Sequence, residues 1–298
     1  MNRNTQHSRT VDFILFGVIA LIWSSSFLFI KIAVQSVPPV TIAAVRLLIG
    51  TLLLWSYMRL NGERLPGSLG GWMSCVFIGV FGNVLPFILI GSGEIAVDSG
   101  TAAILMGIMP VTTVLLAHLL VPEERFTPRI GLGILLGFSG LLVLVGVDAL
   151  KGIGATTFAQ LAILGAAICY AVNTVFVRRD TGLSGPTMAA GSQVAGCIMV
   201  WPLALWFDRP WTLNPTSEGI GAVLILSVFA TSVATVFYFR IVKNLGASIM
   251  AQVNYIVPVL GTGWGILFLE ERPHISALVA LVLVLSAVAI ISRKPSTR

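Results

Sequence analysis

Apolar runs of about 20 residues follow one another along almost the whole chain, and no other feature constrains the fold as strongly. At ~1.5 Å of rise per residue, one such run coiled as a helix crosses a hydrocarbon core ~30 Å thick. Bounded by polar, proline or glycine clusters, the runs predict ten helices at residues 11–35, 39–59, 71–93, 99–120, 128–147, 158–178, 187–207, 219–241, 247–269 and 275–291. Charged residues make up only 10% of the 298 and apolar ones 56%, whereas a soluble domain carries ~25% charged. So few charges cannot clothe a water-facing surface, and the short connections leave no room for a separate soluble domain. The expected class is an all-α integral membrane protein with the lipid bilayer as its solvent.

The net charge of +6 does not point to nucleic acid, because the basic residues lie between hydrophobic runs and form no single basic face. With the amino terminus in the cytoplasm, 13 of the 18 Lys and Arg residues fall on that side. Only Lys31, Arg46, Lys151, Arg209 and Arg272 remain for the membrane or the far side, so the positive-inside rule places both termini in the cytoplasm. Arg3 and Arg9 ahead of an apolar stretch imitate a secretory signal, but the run continues to Val34 without an Ala-x-Ala cleavage site, which predicts a retained first helix. Cys75, Cys169 and Cys197 lie inside hydrophobic runs without metal-ligand spacing and read as packing residues. Trp55, Trp72, Trp201, Trp206 and Trp211 lie toward helix ends, where amphipathic rings suit the interface.

The chain repeats itself. A shift of 148 residues lays Gly17 on Gly165, Lys31 on Arg179 and Pro110 on Pro258, and a shift of 147 lays Glu123-Glu124-Arg125 on Glu270-Glu271-Arg272. The halves are residues 11–150 and 156–292, with five helices each. Because five is odd, the second half enters the bilayer from the opposite side. That gives an inverted repeat with a pseudo-two-fold axis in the membrane plane, an architecture suited to alternating access around a central site.

Trp23-Ser24-Ser25-Ser26-Phe27 with Lys31, Pro38-Pro39, Ala43-Ala44-Val45-Arg46, and Pro110-Val111 leading to Glu123-Glu124-Arg125 together resemble the ten-helix EamA-type members of the drug/metabolite transporter superfamily. Pro258-Val259 and Glu270-Glu271-Arg272 repeat the pattern in the second half, so the resemblance covers nearly the whole chain. It implies a secondary transporter of the cell inner membrane, an exporter of amino acids, metabolites or toxic compounds, with a cavity between the halves. Within the family the chain looks most like amino-acid exporters of the YddG kind. The second half departs from the first: Ala171-Val172-Asn173-Thr174-Val175 stands where Trp-Ser-Ser-Ser-Phe would, and Val194 stands where Arg46 would.

Polar side chains inside membrane helices usually face protein or a water-filled path. Asn83, Tyr170, Asn173, Gln252, Asn254 and Tyr255, joined by the deep rings Trp23 and Trp264, are the expected substrate-binding set, offering amides, hydroxyls and ring faces to a zwitterion. The bland alternative for each amide is a helix–helix hydrogen bond, and for each ring bundle packing. Lys31 and Arg46 read as structural or gating groups that can snorkel. Pro110 and Pro258 each remove a backbone hydrogen bond in mid-helix and read as paired bends or hinges. Gly133-x-x-x-Gly137 and Gly261-x-x-x-Gly265 read as close packing within one subunit, leaving the oligomeric state open.

No cofactor or metal is expected, since no Walker lysine loop is present and His7, His118 and His274 are scattered. An enzyme is not expected for the same reason. All twelve carboxylates fall near predicted helix ends or in connections, Glu94 and Asp98 being the nearest candidates for proton coupling, so the sequence points to facilitated diffusion. Uncharged, moderately aromatic candidates suit neutral or aromatic amino acids; other metabolites, cationic toxic compounds, or a solute channel are the alternatives.

Overall fold

The computed structural model describes residues 3–120, 127–149, 154–177 and 182–292, with the side chains of 3–9, 120, 146–149, 247 and 248 excepted. The described residues are helical, with no strand. The helices are α1 (Arg3–Ala33), α2 (Pro39–Leu60), α3 (Leu69–Glu94), α4 in two pieces (Ser99–Met106 and Met109–Leu120), α5 (Pro128–Ala149), α6 (Ala155–Val177), α7 (Gly185–Asp208), α8 (Ser217–Leu245), α9 (Val253–Leu269) and α10 (Ile275–Ser292). Nine contain stretches long and apolar enough to span a bilayer, and α9, at 17 residues, is a shorter apolar helix. Large apolar side chains such as Leu60, Trp206, Trp211 and Ile275 face outward, as a lipid-facing exterior requires.

Starts are written locally. Pro39 opens α2 with Pro38 extended ahead of it, and Ser68, Ser184 and Thr216 each accept a backbone N–H from the first turn of α3, α7 and α8. The Glu123-Glu124-Arg125 motif and Arg179 lie outside the described residues.

Pro110 breaks its helix on the N-terminal side. The first piece of α4 ends at Met106, four residues before Pro110, where the proline ring would collide with a helical carbonyl. The expected single helix over residues 247–269 is likewise divided, a short turn Ala247–Met250 preceding α9, while Pro258 itself lies inside uninterrupted helix. The break in α4 packs on that second proline, since a Cβ on Gly107 would stand 3.1 Å from Pro258 Cγ.

Two helices from different halves, α2 and α7, are joined at both ends. Asp208, ending α7, accepts from Thr41 N at 2.7 Å and Thr41 Oγ1 at 2.9 Å in the first turn of α2. Glu63, just after α2, accepts from Thr187 Oγ1 at 2.8 Å and from Ser184 Oγ at the start of α7. Each helix therefore carries a carboxylate at its amino end, where the macrodipole favours negative charge, and the two run antiparallel. A third carboxylate, Glu271 after α9, accepts from Ser99 N at 2.7 Å and Gly100 N at 3.0 Å at the start of α4. Gly261 and Gly265 make that approach possible: added Cβ atoms there would meet Ala103 Cβ at 2.6 Å and Ser99 Oγ at 2.8 Å. Gly133 and Gly137 likewise seat Ile291 of α10 and Ile108 of α4, a packing use within one subunit.

Two carboxylates expected near helix ends are buried. Asp12 lies inside α1, is 1% exposed, and accepts from Arg240 Nε and Asn244 Nδ2, both at 2.9 Å, so it ties α1 to α8. Glu94, in the last turn of α3, is fully buried. Position near a helix end did not mean exposure, because α1 extends to Arg3 and because α1 and α6 cover the end of α3.

Candidate functional site

Where α2, α3, α6, α7 and α8 meet, six polar side chains gather inside the bundle. Arg46 on α2 is 5% exposed, and its guanidinium carbon lies 3.7 Å from the centroid of the Phe87 ring of α3. That geometry is a cation–π contact in a desolvated setting. Its Nε donates to Thr231 Oγ1 of α8 at 3.2 Å, and its remaining N–H groups have no hydrogen-bond partner among the described residues.

Around it stand amides. Gln193 on α7 donates from Nε2 to Asn83 Oδ1 of α3 at 3.4 Å, near the long end for such a bond. Asn173 on α6 presses on α3, its Nδ2 standing 2.8 Å from where a Cβ on Gly82 would be. Tyr170, one turn earlier on α6, is within electrostatic reach of Arg46 and closes the circle. Gly50, one turn along α2 from Arg46, leaves room for Gln193 Oε1 and Thr231 Cγ2, which a Cβ would meet at 2.8 and 3.1 Å. Both Asn173 Oδ1 and Gln193 Oε1 are buried acceptors without a hydrogen-bond partner.

The backbone is irregular at this level. Val80–Val84 of α3, containing Gly82 and Asn83, and Leu226–Val233 of α8, containing Thr231, are π-helical. A π turn inserts a residue and re-aims its neighbours, and such turns gather at functional sites.

The arrangement offers an unsaturated guanidinium beside unpartnered amide oxygens. The first suits a carboxylate and the second suit an N–H donor. No group of His, Cys, Asp and Glu that could hold a metal occurs among the described residues.

The other expected residues fall elsewhere. Trp23 packs on Tyr238 at 6.2 Å between α1 and α8. Trp264 donates from Nε1 to Ser24 Oγ at 2.9 Å and lies 5.6 Å from Phe268, joining α9 to α1. Tyr255 donates its hydroxyl to the Val288 carbonyl at 2.7 Å, a contact between α9 and α10. Gln252 is exposed at the start of α9, and Asn254 bonds the Ala251 carbonyl there. Lys31 donates from Nζ to the carbonyls of Glu94 and Val97 at 2.7 and 2.8 Å, capping the end of α3. A separate cavity of about 240 Å³ between α1 and α8 is lined by Ser25, Ser26, Phe29, Leu226 and Phe229 among others. Its serine hydroxyls are turned back onto the Ile22 carbonyl, so the lining presents mainly apolar surface.

Sequence reasoning missed Gln193 and Thr231. Gln193 satisfies the rule that selected Asn83, a polar side chain within an apolar helix, and Thr231 is where the 148-residue shift carries Asn83.

Known proteins bear on this architecture. YedA, an inner membrane transporter of Escherichia coli without an assigned substrate, is 27% identical over 84% of this chain and 83% of its own. YoaV, a transporter of Bacillus subtilis, is 22% identical over 91% and 94%. A transporter of Archaeoglobus fulgidus is 25% identical over 94% and 97%. A solved crystal structure superposes with a TM-score of 0.66 at 22% identity, covering 95% of this chain and 96% of that one, a likeness of fold. The model of the EamA-like transporter family matches the chain twice, at residues 13–146 and 157–293, and the protein belongs to that family of membrane transporters.

Proposed function

We propose that the protein is a secondary exporter of small zwitterionic metabolites, with neutral or aromatic amino acids as its solutes, akin to exporters of the YddG kind. Arg46 carries this reading: a guanidinium 5% exposed within a membrane bundle, with N–H groups to spare, is costly unless an anionic group completes it. The unpartnered oxygens of Asn173 and Gln193 supply further hydrogen-bond acceptors for the solute nearby. Structural or gating duty, expected for Arg46 from sequence, gives way to substrate contact in this reading.

The site draws Arg46 and Asn83 from residues 11–150 and Tyr170, Asn173, Gln193 and Thr231 from residues 156–292. It thus lies between two halves that act as five-helix repeats. The reciprocal carboxylate caps of α2 and α7 support an inverted relation between the halves, and rocking of one against the other gives alternating access. Both termini face the cytoplasm by the distribution of Lys and Arg, and the likeness to YedA supports the inner membrane as the location of this multi-pass protein.

The test is counterflow in proteoliposomes preloaded with unlabelled phenylalanine or leucine. Saturable uptake of the labelled solute, lost in Arg46→Ala, is the expected result. Flux that does not saturate and carries current would make the protein a channel, and absence of counterflow for every amino acid would remove the substrate class.

A further inference from the structure

Glu94 is a buried acid that the transport reading leaves unexplained. It is 0% exposed, and neither carboxylate oxygen has a hydrogen-bond partner among the described residues. The enclosure is tight: beside it, a Cβ on Gly93 would collide with Ile163 and stand 2.8 Å from the Ala159 carbonyl of α6. The charged groups facing it are Lys31 from α1, Arg46 from α2 and Glu271 from the segment after α9. No titratable group of α6 figures among them, Tyr170 of that helix facing Arg46 instead, and the adjoining piece of α4, Ser99–Met106, brings none. Lys31 does not satisfy the carboxylate, because its ammonium is committed to the backbone carbonyls of Glu94 and Val97. Glu271 is committed too, to the amides of Ser99 and Gly100. An ionised carboxylate kept from water and from donors is neutralised by taking a proton or by pairing with a cation.

We propose that Glu94 is the coupling site of this transporter, where one proton is exchanged for the cationic group of the solute; the proposal rests on the transport reading. In the empty site the carboxyl group holds the proton, which removes the cost of a buried ion. An incoming ammonium group pairs with the carboxylate as the proton leaves to water, so the acid plus the ammonium ion give the ion pair plus one free proton. Arg46, within electrostatic reach of Glu94, receives the carboxylate end of the same zwitterion. Proton and ammonium exclude one another, which is the condition for antiport: the carrier returns to the far side only with one or the other aboard. A solute gradient then moves protons the opposite way, and a proton gradient accumulates solute against its own.

Two measurements on the full-length protein decide this. In proteoliposomes with an entrapped pH dye, phenylalanine flux should move protons in the opposite sense. In Glu94→Gln, proton movement and accumulation driven by a pH gradient should both be lost; Asp98→Asn should behave as wild type. Counterflow without proton movement in the wild type, or gradient-driven accumulation that survives in E94Q, overturns the proposal. The second measurement needs no transport: infrared difference spectra of the detergent-solubilised protein across the neutral pH range should show a carboxylic-acid C=O band that is absent in E94Q and is removed by phenylalanine. Absence of that band from the wild type overturns the proposal, whereas its presence alongside a complete lack of amino-acid counterflow upholds Glu94 as a proton site and discards the substrate class alone.

Discussion

Asn83 and Thr231 occupy the same place in the two halves. The 148-residue shift carries one onto the other, both lie in π-helical segments, and both accept a hydrogen bond from the helix of the opposite half that packs across them: Asn83 from Gln193 of α7, Thr231 from Arg46 of α2. The donors are themselves near-equivalents, since Val194, one residue from Gln193, is the counterpart of Arg46. One half therefore supplies a charge and the other an amide to otherwise matched positions. Thr231→Val, which keeps the volume and removes the oxygen, should leave Arg46 Nε unpartnered at a cost of ~1–3 kcal/mol. We expect a raised KM for phenylalanine counterflow with little change in the maximal rate; an unchanged KM would detach Thr231 from the site.

Gly50 tests the closeness of α2, α7 and α8. A methyl group there would stand 2.8 Å from Gln193 Oε1, whereas at Gly17 it would meet nothing within 4 Å. Gly50→Ala should displace Gln193 and reduce counterflow severely while Gly17→Ala leaves it intact, both variants being compared at equal amounts of protein in the membrane.

Removal of the Asp208 carboxylate from the head of α2 should act on stability before it acts on solute affinity. Asp208→Ala leaves Thr41 N and Oγ1 without their acceptor, and loss of a cap of this kind costs ~0.5–2 kcal/mol. A lowered melting temperature in detergent with an unchanged KM is the expected pair of readings, and Asp208→Asn should recover part of the loss.

Trp264 and Tyr255 are committed to protein partners, Ser24 and the Val288 carbonyl respectively. Trp264→Phe and Tyr255→Phe should each cost on the order of 0.6 kcal/mol, the average for a polar contact between membrane helices, and should leave KM alone. A large rise in KM for Trp264→Phe would restore that ring as part of the binding surface.

Pro258 lies inside uninterrupted helix yet packs against the break in α4, 3.1 Å from a Cβ placed on Gly107. Pro258→Ala should slow turnover without preventing membrane insertion, because the stiffened α9 and the break in α4 would no longer move as a matched pair. Single-turnover and steady-state counterflow rates, compared in the same vesicles, separate this from an effect on binding.

The membrane class, the helix spans and the duplication were legible in the sequence because each rests on a local property: run length, composition or a fixed offset. Of the expected binding residues, Asn83 bonds Gln193, Asn173 packs against Gly82 and Tyr170 faces Arg46, since a polar group in an apolar helix has few places to go. Which way a helix faces was not legible, and this decided the rest: Tyr255 turns to α10 and Trp264 to α1. The burial of Glu94 escaped for a related reason, since it arises from the long-range approach of α1 and α6 to a helix end, which no stretch of α3 encodes. The π segments were illegible as well, because a single widened turn hardly disturbs an apolar run.

Those segments also stand in register between the halves. A π turn behaves as a one-residue insertion into a helix, and the 148-residue offset carries Val80–Val84 onto residues 228–232, inside Leu226–Val233. The same family model matches both halves, and the widened turn is part of what they have in common. Written once in a shared pattern, the widened turn appears at matching places in both halves and opens the backbone on both sides of the site.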